Sequence, residues 1–227
     1  MIEVDLRESS LRELNHRLHG IEEGANEREF KVLHPLGTHS IAVGLTQPIK
    51  VTVDGHAGFY CGGMNQQAEI VIDGHAGPGV GENMMSGRIH VHGNASQSAG
   101  ASGHGGLLVI DGDASSRCGI SMKGIDIVVK GSVGHMAAFM GQKGNLVVCG
   151  DAGPDLGDSL YEARLFVRGS VASLGSDCVE KEMRPEHLER LAALLSAAGS
   201  DAKPEDFKRY GSARKLYNFH VDNVDSL

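Results

Sequence analysis

The chain has 227 residues, a formal net charge of -8 and 41% hydrophobic residues, but only 4% aromatic ones, no Trp and 32 Gly, about twice the ~7% Gly of an average protein. The acidic balance denies nucleic acid and anionic membranes the broad basic face they require, and the length suits one domain, or two small ones, with an aliphatic core. No run of about 18 apolar residues occurs, and Met1-Ile2-Glu3-Val4-Asp5 lacks the basic and apolar regions of a signal peptide, so the expected location is the cytoplasm.

Residues 1–40 read as an N-terminal cap. A short apolar opening is followed by Ser9 or Ser10 as an N-cap, then Leu11, Leu14 and Leu18 at helical spacing.

From residue 41 to 178 one period governs the chain. The segments VTVDGHAG, IVIDGHAG, IHVHGNAS, LVIDGDAS, IVVKGSVG, LVVCGDAG and LFVRGSVA place glycines at Gly55, Gly74, Gly93, Gly112, Gly131, Gly150 and Gly169, one every 19 residues. Four residues earlier stand Val51, Ile70, Ile89, Leu108, Ile127, Leu146 and Leu165, and two earlier Val53, Ile72, Val91, Ile110, Val129, Val148 and Val167. This alternation predicts strands with both columns on one face. Two residues after the glycine come Ala57, Ala76, Ala95, Ala114, Val133, Ala152 and Val171; three after it come Gly58, Gly77, Ser96, Ser115, Gly134, Gly153 and Ala172. Seven after it stand Gly62, Gly81, Gly100, Gly119, Ala138, Gly157 and Ser176. A unit of this length encloses no core alone and must stack on copies of itself. The predicted fold is all-β: a right-handed parallel β-helix of about seven turns, with an aliphatic interior, glycines at the corners and helical caps at both ends.

Residues 179–227 form the other flank. Pro185 opens a helix with Leu188, Leu191, Ala192 and Leu195 on one face, ending near Gly199. The tail carries Phe207, Tyr210, Tyr217 and Phe219, interleaved with Lys208, Arg209, Arg214 and Lys215. Phe207, Tyr210, Arg214, Lys215, Tyr217 and Phe219 are the candidate docking surface, against this coil, a partner or a second copy.

Sequence signals for chemistry are sparse. Gly77, Gly79 and Gly81 in GPGVG are followed by another strand rather than the helix a dinucleotide turn requires, which favours a corner. His56 and His75 share a column on adjacent turns, and His90 and His92 share one face of a strand; either pair could approach a metal, but a third ligand is not specified. The His56 column continues as Asn94, Asp113, Ser132, Asp151 and Ser170, a polar outward column. His104 stands isolated in GASGHGG. No G-x-S-x-G elbow occurs and position 2 is Ile2, so neither common nucleophile arrangement is indicated. Asp155 and Asp158 could line a cleft or simply be polar loop residues. Cys61, Cys118, Cys149 and Cys178 are too far apart for a metal ribbon or dithiol and read as buried thiols. Met64, Met84, Met85, Met122 and Met140, with Phe139 and Tyr161, suit an interface if exposed and a core if buried.

Seven copies of G-x-x-G-x-x-x-G resemble the GXGXG-motif β-helix at the C-terminus of the glutamate synthase large subunit, a fold also seen in tungsten and molybdenum formylmethanofuran dehydrogenases. With the flanks MRPEHLERL at 183–191 and RYGSARKLYNF at 209–219, the chain further resembles the stand-alone β-helix chain of bacterial N-methylglutamate synthase. The resemblance implies methylamine metabolism and a non-catalytic scaffold between a glutaminase-amidotransferase-like subunit and an FMN/iron–sulfur glutamate-synthase-like subunit. It implies no catalytic, metal or cofactor residue in this chain; FMN and the cluster would belong to the partner. Two other classes stand beside it: a β-helical enzyme acting on polysaccharide, and a β-helix that polymerises.

Overall fold

The computed structural model describes residues 1–22, 24 and 26–214. Nine strands follow one another in a single parallel ladder: β1 (Ile2–Asp5), β2 (Glu29–Leu33), β3 (Lys50–Asp54), β4 (Glu69–Ile72), β5 (Arg88–Val91), β6 (Leu107–Ile110), β7 (Lys123–Val129), β8 (Lys143–Val148) and β9 (Arg164–Val167). Val51 pairs with Ile70, Ile70 with Ile89, and so on to Leu146 with Leu165, which is the column predicted to face inward. These side chains and those two residues later are fully buried in one continuous aliphatic core. The chain is a parallel β-solenoid of about seven regular turns, with two α-helices among the described residues.

The ladder starts before residue 41. Phe30 pairs with Val51, and Ile2 with Phe30. Those steps are longer than the repeat and lack its first glycine, Leu6 and His34 standing in that place, so a search for the period passes over them.

Two further sides close each turn. Ala57, Ala76, Ala95, Ala114, Val133, Ala152 and Val171 bridge one another in parallel, forming a second ladder one residue wide. The third side consists of left-handed residues at alternate positions: Tyr60, Gly62 and Met64; Gly79, Gly81 and Asn83; Ser98, Gly100 and Ser102; and likewise up to Asp155, Gly157 and Ser159. The outer members of each trio donate to the next turn, Tyr60 to Pro78 O and Met64 to Glu82 O, while Gly62 donates back to Ile41 O. A left-handed L-residue costs roughly 1–2 kcal/mol, and a buried backbone group left without a partner costs about as much or more. The inter-turn bonds therefore offset the strain, even at Ala138, which holds φ +57 in the glycine column.

Each end is finished differently. Helix α1 (Leu11–His19) begins in a capping box, with Ser10 as N-cap and Glu13 reaching back to it, and buries Leu14 and Leu18 in the core. Its Asn15 Nδ2 donates to Ser40 O at 2.9 Å, and its Oδ1 accepts the Ala42 N–H at 3.0 Å, taking the place that a preceding turn would occupy. At the other end β11 (Lys208–Ser212) pairs antiparallel with β9, and β10 (Cys178–Lys181) pairs with β11. The C-terminal segment thus divides its work: β11 takes the open strand edge, while helix α2 (Pro185–Ala197) lies along the side of the coil. There Leu191, Leu194, Leu195 and Ala198 pack on Val109, Val128, Val147 and Phe166, outward residues of β6 to β9. The buried face is rotated from the expected one: Ala192 is exposed, and His187 and Leu194 are buried. The apolar outward column of the strands, not the helix sequence alone, decides that rotation.

Candidate functional site

The glycine column before the polar column is a contact surface between turns. Only Gly55 of that column has a positive φ. At Gly74 a Cβ would lie 2.7 Å from the Gly55 carbonyl carbon and oxygen and from His56 Nδ1. At Gly131 it would lie 2.2 Å from Asp113 Oδ1. Glycine is required there by close approach rather than by dihedral freedom.

That approach brings the next column into bonding range. His56 Nδ1 accepts the His75 N–H at 2.9 Å, His75 Nδ1 the Asn94 N–H at 2.8 Å, and Asn94 Oδ1 the Asp113 N–H at 2.9 Å. The chain of bonds continues through Asp113, Ser132 and Asp151 to the Ser170 N–H. Bonding to Ser170 holds the Asp151 carboxyl below its ordinary pKa. His56 and His75 stack at 4.9 Å, but each spends its Nδ1 lone pair on a backbone N–H. The polar column is a seam that ties turn to turn.

Asp155 and Asp158 are employed in the same way. Asp158 accepts the Ser159 hydroxyl at 2.7 Å and the Ser176 N–H at 3.0 Å, which lower its pKa, and Asp155 contacts His135 at 3.4 Å. His104 is exposed, and its backbone N–H donates to Met84 O.

His90 and His92 do come together, with partners that the strand alone does not specify. Both project outward from β5 or its end, with rings edge to face at 4.4 Å. Asp111, one turn on, lies 2.9 Å from His90 Nε2 through Oδ1, and Asp73, one turn back, lies 2.8 Å from His92 Nδ1. Lys130 Nζ also reaches Asp111 Oδ1, at 2.8 Å. Burial works against the charge of Asp111, but hydrogen bonds from Lys130 and His90 outweigh it and hold the carboxyl below its ordinary value. The signal was present in the period: Asp54, Asp73, His92, Asp111 and Lys130 are one column, each preceding a repeat glycine.

A groove of about 540 Å³ lies where β7 and β8 share an irregular register, lined by Asp126, Lys143, Asn145, Glu162, Arg164 and Arg190 of α2. Arg190 pairs with Asp126, which also accepts from Asn145 Nδ2 at 2.7 Å, and Asn145 Oδ1 is buried with no partner among the described residues. The period gives no hint of this groove, because the helix that walls it lies outside the repeat.

The candidate docking tail separates into parts. Phe207 is 5% exposed beneath α2, and Tyr210 is 6% exposed against the core. Both dock on this chain's own coil and leave the candidate partner surface. Arg214 is exposed and pairs with Asp177. Lys215, Tyr217 and Phe219 lie outside the described residues. The methionines divide too, Met84 and Met122 filling the core and Met64, Met85 and Met140 being exposed. All four cysteines are buried, and burial pushes the thiols of Cys61 and Cys118 up to about 12. No helix among the described residues is long and apolar enough to cross a membrane.

No protein-family model matches the chain. The chain is 62% identical over 224 residues, covering 98% of each sequence, to Protein GlxC of Rhizobium meliloti (strain 1021).

Proposed function

The chain belongs to the family of Protein GlxC, and from that premise we propose that it is a structural subunit of a glutamate-synthase-type complex. In this reading the coil bridges a glutaminase-like subunit and a synthase subunit that carries FMN and an iron–sulfur cluster, and the favoured member is N-methylglutamate synthase. The observation that carries the reading is the continuity of the inter-turn bonding. Three backbone ladders and a side-chain seam join every regular turn to the next. A solenoid joined in this way resists bending, and transfer between two active sites depends on fixed separation.

The glycine columns that carry the resemblance to the glutamate synthase β-helix act here as contacts and corners, which is a scaffold's chemistry. The polymerising alternative is disfavoured, since α1 buries Leu14 and Leu18 in the core at one end of the coil and β11 pairs antiparallel with β9 at the other, where a further parallel turn would add.

The test is purification of the native chain in mild salt, with mass spectrometry of co-eluting chains and an absorbance scan. A glutaminase-like chain and a flavin-bearing chain are expected, together with methylamine-dependent formation of N-methylglutamate by the complex. A colourless monomer with neither partner overturns the reading.

A further inference from the structure

We propose that His90, His92 and Asp111 form a divalent transition-metal site on the outer surface of the coil, with Asp73 as its positioning residue. One ligand atom from each of the three lies within 4.8 Å of the others. The arrangement follows from the fold: residues two apart at the end of a strand project to the same side, and the parallel register sets Asp73 and Asp111 on either side of His92 in its own column.

The His90 Nε2 to Asp111 Oδ1 separation of 2.9 Å is close to that of two ligands sharing one ion, given metal bonds of about 2.0–2.2 Å to nitrogen and oxygen. Asp73 Oδ1 lies 2.8 Å from His92 Nδ1, and a carboxylate this close favours the neutral tautomer that carries its proton on Nδ1 and keeps its lone pair on Nε2. A carboxylate behind an imidazole in this way fixes the tautomer and orientation that a metal ligand needs. On binding, the ion takes the place of the proton between His90 Nε2 and Asp111, and the neutral His90 ring carries its proton on Nδ1.

Two imidazoles and one carboxylate suit zinc, cobalt or nickel better than magnesium or calcium, which take oxygen ligands. His92 is 46% exposed, leaving coordination positions open to water or to a group from outside the chain. Lys130 opposes the ion, because its ammonium occupies Asp111 Oδ1 at 2.8 Å. The site is independent of the proposed complex and is testable on the chain alone.

The experiment takes the full-length chain, stripped with a chelator, and titrates it with Zn²⁺ by calorimetry and with Co²⁺ by visible absorption. One Zn²⁺ per chain is expected, with cobalt ligand-field bands. His90→Ala and His92→Ala should each weaken binding at least about tenfold, and Asp73→Asn about 10- to 100-fold. Lys130→Met should tighten it. Circular dichroism checks that each variant keeps the wild-type fold, and the two conservative variants, opposite in sign, carry the test if an alanine variant does not. Uptake of Zn²⁺ by the His90→Ala/His92→Ala double variant equal to wild type overturns the proposal. So does an affinity that moves with neither Asp73→Asn nor Lys130→Met.

Discussion

At Gly74 the repeat becomes a steric requirement. Its backbone passes so close to the turn before that an added methyl would meet the Gly55 carbonyl at 2.7 Å, and the turns would have to separate where His56 Nδ1 bonds the His75 N–H. Gly74→Ala should therefore cost about 1–3 kcal/mol, as overpacking does elsewhere, and lower the midpoint of thermal unfolding. An unchanged midpoint would show that the turns spread freely. The glycine column was legible in the sequence, but its reason was not: a corner and a close contact both call for glycine. The left-handed columns were less legible still. Tyr60, Gly79, Ser98, Arg117, Met136 and Asp155 share a backbone conformation and no chemistry, because inter-turn hydrogen bonds impose it on whatever residue stands there.

At the scale of elements, α2 carries a buried histidine. His187 Nδ1 accepts the Arg184 N–H at 3.2 Å at the start of the helix, and the side chain is buried. Burial, then the charges of Arg209 on β11 and Arg164 on β9, with Arg184, lower its pKa; Glu186 opposes them. A lowered pKa means that the unfolded chain takes up the proton first as pH falls below about 6.5, so stability decreases over that range. His187→Gln should flatten the fall in melting temperature between about pH 7 and pH 5 relative to wild type. Parallel profiles would remove His187 from the account. The start of this helix at Pro185 was readable. Its buried face was not, because that face is chosen by Val109, Val128, Val147 and Phe166 on four different turns.

For the whole molecule, a stack of identical turns has no intrinsic stop, so its ends decide whether it remains one chain. β11 covers β9 along Tyr210–Leu165 to Lys208–Val167. A chain ending at Asp206 loses that strand and leaves the β9 edge unpaired. It should self-associate, read as an increase in mass by light scattering, since open edges pair with one another. A monodisperse monomer would place the stop elsewhere.

The sequence by itself determined the solenoid, its step and its core, because each of those properties is periodic and the period is written in side-chain size and hydropathy. It also showed that seven turns shared one polar column. Only the tertiary structure decided what that column does, where the flanking strands join the ladder, which side α2 covers and which acids meet His90 and His92. Those contacts join residues one turn or many turns apart, and their partners are set by the register and closure of the coil, which no local window of sequence contains.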